Sequence, residues 1–183
     1  MSDSLRSLPT AVKRARIRAY AEQQASQVRG GTKCSCHAMA DIWGYATQFY
    51  KGWNNDEESY VEDVAFILAG VDERARFIDR DNTRVGYNVF DDSGFKDEFK
   101  DGSNQVQHFS AGVAAGFQYG YWFGVPHRII RPYTPQDTAL NDQSTAMGAG
   151  LDGIGVSLGE VKTKIEKYVC ERRCGICNGG AGR

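Results

Sequence analysis

Two polar pairs are placed where they could do chemistry. Asn104 and His108 are four residues apart, and so are Asp137 and Asn141. At that spacing each pair lies one turn apart on a single helix face. A histidine whose tautomer is fixed by a carboxylate is a general base, so His108 with Asp137 would activate water or a hydroxyl. Asn104 or Asn141 would orient the substrate or hold an oxyanion. Ser144 is a candidate nucleophile, with Thr145 beside it, although neither lies in a strained-turn motif. A second route is a metal held by His108, His127 and Asp137 that activates water. The plain alternative is a structural histidine at a helix–helix contact.

The cysteines form a second group of chemical residues. There are five, clustered as Cys34 and Cys36 next to His37, and Cys170, Cys174 and Cys177 near the C-terminus. With His37 they offer more soft ligands than tetrahedral zinc needs, so a structural zinc knot joining the two ends is the first expectation. One or two disulfides, or unlinked thiols, are the alternatives. A cysteine at a helix start is also a possible nucleophile, which makes a cysteine-dependent amidase a further reading. The run C-x-x-x-C-x-x-C also occurs in radical enzymes, but there it opens a long α/β barrel rather than closing a short helical chain.

The elements that must position these residues read as helices. Residues 10–29 end at Gly30-Gly31, and their Lys13, Arg14, Arg16 and Arg18 are most simply a solvated face. Residues 37–53 and 55–69 follow, the second opening on a capping box of Asn55 and Glu58 and ending at Gly70. Glu58, Glu62 and Asp63 are helix-start charges rather than catalytic acids. Residues 71–103 are irregular, with Arg84–Phe90 alternating enough for one short strand. Asp91, Asp92, Asp97 and Asp101 do not have the spacing of a calcium loop.

The central helix, 104–124, buries Val106, Phe109, Val113 and Phe117. Beside that face run Ala111, Gly112, Ala114, Ala115 and Gly116. A mid-helix glycine costs about 1 kcal/mol relative to alanine, so close approach of another backbone or of a substrate is expected there. A helix from about Asp137 and an amphipathic helix over 158–174, with a Glu160/Lys164 pair, complete the chain.

The composition fits a folded domain of one core. The chain has 183 residues, 41% of them hydrophobic and 25% charged, enough to bury a genuine core. A net charge of -1 argues against coating of nucleic acid, and no apolar run is long enough for a membrane span. The N-terminus lacks the apolar segment of a secretory signal, so synthesis and folding in the cytoplasm are expected, with export by a signal-independent secretion system as a further route.

The order N-x-x-x-H (Asn104, His108), a small-residue helix, D-x-x-x-N (Asp137, Asn141) and a glycine (Gly148) resembles poorly characterised helical domains of bacterial and phage proteins. Some of those are effector- or toxin-like modules. In that pattern the histidine commonly follows an arginine and a His-Glu pair lies between the helices; here Gln107 precedes His108, and Arg128 follows His127. The resemblance spans about 50 residues.

The expectation is a mainly α, single-domain helical bundle over 10–177, with a long irregular loop, at most one short strand or hairpin, and flexible ends at 1–9 and 178–183. The leading function is a hydrolase-like bacterial effector using His108, Asp137, Asn104, Asn141 and Ser144. Its substrate is unknown, and a cognate inhibitor or delivery machinery would be its protein partner. The competing class is a non-enzymatic binding or adaptor module stapled by zinc or disulfides.

Overall fold

A computed structural model describes residues 3–50, 56–71, 84–86, 88–102, 104–124, 134–152, 155–172 and 174. Among them the chain is mainly helical, as its periodicity predicts. The helices are α1 (Asp3–Arg6), α2 (Thr10–Arg29), α3 (Ser35–Ala46), α4 (Asp56–Ala69), α5 (Gln105–Gly124), α6 (Pro135–Asp152) and α7 (Val161–Tyr168). No helix of the described residues is long and apolar enough to cross a membrane. The expected capping residue Asn55, His127, Cys177 and the tail 178–183 lie outside the described residues. Residues 3–6 form a helical turn, and Leu5 and Leu8 pack against the core, so the first nine residues include a docked segment.

Trp43 is where three helices meet. Its ring, fully buried on α3, takes Tyr60 of α4 edge-on at 5.5 Å and Phe109 of α5 edge-on at 6.5 Å. Tyr60 donates its hydroxyl hydrogen to the Trp43 carbonyl at 2.9 Å, which satisfies a phenol that burial alone would penalise. Because Phe109 is locked in this cluster, the rotation of α5 about its own axis is fixed. His108, the preceding residue, is thereby turned away from the core.

Two of the basic residues of α2, Lys13 and Arg14, turn to neighbours, while Arg16 is exposed. Arg14 Nε donates to the buried Asp63 at 2.7 Å, and Tyr50 donates to the same carboxylate at 2.5 Å. Lys13 sits over the Tyr50 ring at 4.8 Å. Burial first, then the Asp63 carboxylate, push the Tyr50 phenol well above its ordinary value. Asp63 is thus a structural anion held by two donors, as buried charges require.

Several elements differ from expectation, and α3 runs over Ser35–Ala46 rather than 37–53. Residues 84–86 and 88–89 form bends and turns rather than a strand, with the amides of Val89 and Phe90 both donating to the Gly86 carbonyl at 2.9 Å. Gly86 has φ 74°, a conformation that outweighs the local alternation. The last helix stops at Tyr168 rather than Cys174. Its terminal carbonyls at Lys167 and Tyr168 accept from Lys96 Nζ at 3.0 and 2.9 Å, and Cys170 bridges antiparallel to Phe95. At its start, Glu160 is engaged with the Ser157 amide and hydroxyl in a capping box.

The most extensive pairing is between α5 and α6, and glycine makes it possible. A Cβ on Gly112 would overlap the Ser144 hydroxyl, one on Gly116 would overlap the Thr145 backbone, and one on Gly148 would overlap the carbonyl of Val113. These partners advance together along both helices, so α5 and α6 run in the same direction. Gly120 (φ 71°) then breaks the helical path of α5.

Gly148→Ala should therefore destabilise the fold by about 1–3 kcal/mol, the usual cost of overpacking a close contact. Gly159→Ala, where an added Cβ meets nothing within 4 Å, should stay within about 0.5 kcal/mol of the parent. Urea unfolding of the two variants checks the contrast.

Candidate functional site

The parallel course of α5 and α6 puts both helix N-termini at one end, and the polar pairs stand there. Asn104 precedes α5 with φ 69°, a left-handed conformation in which asparagine is enriched. Its carbonyl accepts the amides of Gln107 and His108 at 2.9 and 3.0 Å. On α6, Thr134 is the cap: its hydroxyl accepts the Asp137 amide at 3.0 Å, and its carbonyl accepts the Thr138 amide at 3.0 Å. Pro135 at the first helical position suits a helix start, which moves the start of α6 two residues ahead of the expected Asp137.

These starts bring the predicted pair together. His108 Nδ1 lies 2.9 Å from Asp137 Oδ1, with the imidazole 26% exposed and the carboxylate side chain 10% exposed. The atoms are within hydrogen-bond range without the directional alignment of a full hydrogen bond. The contact becomes an ion pair when the ring is protonated.

A second carboxylate joins them. Asp101 Oδ1 accepts from Gln105 Nε2 at 2.6 Å, and Asp101 Oδ2 accepts from the Thr134 hydroxyl at 3.0 Å. Gln105 Nε2 also donates to the Phe99 carbonyl at 2.6 Å. Partial desolvation of the Asp101 carboxyl, followed by the adjacent Asp137 carboxyl group, raises its pKa above the ordinary 3.8, against smaller lowering effects of Thr134 and His108. Like charges close together favour holding a proton between them. Both helix N-termini carry partial positive charge that favours anionic groups at this end.

The other expected residues sit deeper along the seam. Ser144 is fully buried and donates to the Asn141 carbonyl at 3.1 Å; its side chain packs on Gly112, with Asn141 Oδ1 nearby. A hydroxyl so enclosed serves packing, and the structure brings His108 and Asp137 together with Asp101 rather than with Ser144. Sequence reading missed Asp101, Gln105 and Thr134. The signal for Thr134 was present as T-P-x-D, a capping threonine before a first-turn proline. Asp101 had no such signal, because loop geometry and not helical spacing places it.

The cysteines pair across the chain. Cys34 faces Cys174 with a Cα–Cα distance of 5.8 Å, and Cys36 faces Cys170 at 5.6 Å, both within the range that a disulfide spans. A sulfur committed to a disulfide has no thiolate to give zinc. Among the described residues no group of three or more His, Cys, Asp or Glu converges as a metal site. His37 lies beside Gly94, one turn along from Cys34.

A separate cleft of 360 Å³, lined in part by Tyr20, Asp41, Tyr45, Gln48 and Lys162, includes none of the His108 group. Its charges are mutually engaged, with Lys162 Nζ 2.6 Å from Asp41 and Lys33 also on Asp41.

The raised pKa of Asp101 has a signed consequence. A carboxyl that holds its proton more tightly in the folded chain contributes stability below its unfolded value, and loses it as pH rises through the folded value. The stability of the parent relative to Asp101→Asn should therefore fall as pH climbs from about 4. Urea midpoints of both proteins between pH 4 and pH 8 measure this, and a pH-independent difference would contradict it. Compared with protein-family models, curated proteins and solved structures, the chain matches none.

Proposed function

We propose that this chain is a small hydrolase-like effector domain in which His108 is the general base. The observation that carries the reading is the approach of His108 Nδ1 to Asp137 Oδ1 at 2.9 Å across two separate helices. A hydrogen bond from Nδ1–H to that carboxylate, formed by a small reorientation of the ring, would fix the tautomer whose Nε2 lone pair accepts a proton. Water is the nucleophile, since the seam hydroxyl of Ser144 is enclosed. His108 takes a proton from that water as its oxygen attacks an electrophilic centre. Asp137 stabilises the imidazolium that forms, and the proton returns to the leaving group.

Expression in a bacterial host, once in the cytoplasm and once with an added export signal, tests the reading. Growth should be inhibited in one compartment, and His108→Ala, shown to be folded by circular dichroism, should relieve it. Loss of a positioned general base lowers turnover by about 10²–10⁴-fold, so relief should persist at the highest inducer level. Undiminished toxicity of folded His108→Ala, or no toxicity in either compartment, would contradict the proposal. In the second case the chain is better read as a binding module.

A further inference from the structure

We propose that the two cysteine pairs are an oxidative modification site, and that disulfide formation there completes the His108–Asp137 site by fixing the strap that carries Asp101. What the site does rests on the hydrolase reading; the link between cysteines and strap does not.

The strap is residues 90–102, and it lies between the two segments that the cysteines join. On one side it caps α3. Ser35 donates its hydroxyl to Asp91 at 2.6 Å, and the amides of Ser35 and Cys36 donate to the side chain and carbonyl of Ser93 at 3.0 and 3.1 Å. Gly94, at φ 72°, presses on Cys34 so closely that a Cβ would overlap it. On the other side the Lys96 amide donates to the Val169 carbonyl at 3.0 Å, and the Glu171 amide to the Gly94 carbonyl at 2.8 Å. Lys100 reaches Glu171 at 2.5 Å. At its end the strap delivers Asp101 to Gln105 and Thr134, while the Gly102 amide donates back to Asp92 at 3.2 Å.

Cys34 and Cys36 flank this strap from the start of α3, and Cys170 and Cys174 from beyond α7. The paired residues are 140 and 134 positions apart in sequence. Without sulfur bridges, the strap is tied to those segments by part-buried hydrogen bonds and an ion pair, each of which stabilises little, while its Phe90, Phe95 and Phe99 rings sit in the core. The α5–α6 seam is packed through its glycines, and the strap meets it only from outside, where the Asp97–Phe99 turn lies against α6. Reduction should therefore loosen the strap's polar links and the first turn of α5 while the seam survives, a local rather than a global opening.

The chemistry is thiol–disulfide exchange with a small-molecule disulfide or a protein disulfide oxidant. A cysteine thiolate attacks the oxidant's disulfide and expels one thiol. The partner cysteine, after losing its proton, attacks the mixed disulfide and expels the second. Each pair loses two electrons and two protons, and one oxidant disulfide becomes two thiols. Cys34 and Cys36 lie at the start of α3, where a helix terminus favours the attacking thiolate. Cys34, Cys36 and Cys170 are buried, while Cys174 is only partly so, which makes the outer pair the first to exchange.

The test uses the full chain treated with oxidised glutathione or with dithiothreitol. Free thiols and bound zinc are counted, and amide hydrogen exchange is followed by mass spectrometry. Oxidation should consume the four thiols of the two pairs. Reduction should speed exchange about tenfold or more at 96–102 and 105–108, leaving 109–117 and 140–148 protected. Unchanged exchange at 96–108 would overturn the proposal, as would four thiols retained on zinc in the oxidised chain. If reduction unfolds the whole chain, the Cys34→Ser/Cys174→Ser variant decides. Its inner pair should restore strap protection on oxidation, and protection independent of redox state would sink the idea. Redox-dependent exchange without any toxicity would uphold this inference while rejecting the hydrolase reading.

Discussion

Close approach of α5 and α6 is the constraint on which the rest of this molecule depends. Two helices can lie this near only where one of them lacks a side chain, and Gly112, Gly116 and Gly148 supply that absence at three successive contacts. The conformational cost of mid-helix glycine is offset by dispersion contacts between closely packed backbones and by burial of Val113, Leu140, Met147 and Leu151. The direction of the pairing matters as much as its closeness. Parallel helices bring their N-termini to one end, and the polar ends of both helices then converge on the same few ångströms. His108 and Asp137 meet because the seam sets the height of one helix against the other, while Trp43 holding Phe109 sets the rotation of α5.

The strap and the cysteine pairs solve a different problem. Residues 88–102 contribute little regular structure, yet Asp101 must arrive at a defined place. Its placement comes from capping contacts to α3, from the bridge between Phe95 and Cys170, and from Phe95, whose side chain is wholly buried. Burial alone would raise the Asp91 carboxyl, but hydrogen bonds from Ser35 and Ser93 hold it below its ordinary value. That carboxylate is thus committed to fastening the strap, whereas desolvation and the Asp137 carboxyl group hold Asp101 above its ordinary value. Two aspartates ten residues apart serve opposite purposes because their neighbours differ.

Much of this was legible in the residues themselves. The helices at Thr10–Arg29 and around Phe109 announce themselves through apolar spacing and glycine stops, and the small face of α5 correctly signals a close neighbour. The pairing of His108 with Asp137 follows from two i, i+4 pairs on helices that each carry small residues. Asp101 was not legible, since a loop residue has no periodicity to place it, and its partners Gln105 and Thr134 are defined only once both caps form. The cysteine connectivity was likewise hidden, because spacing along the chain does not say which thiols meet. The end of α7 moved to Tyr168 because Lys96, from a distant segment, occupies its terminal carbonyls, a tertiary contact that local propensity does not report.

The account stands on His108 and Asp137 acting as one unit, and a double-mutant cycle in stability tests that most directly. Urea unfolding of the parent, His108→Ala, Asp137→Ala and the double variant gives their coupling energy. Groups in contact couple by about 0.5–3 kcal/mol, and this pair should fall within that range. Additivity within about 0.3 kcal/mol would show that the two residues are merely neighbours, and would remove the basis for treating them as a site.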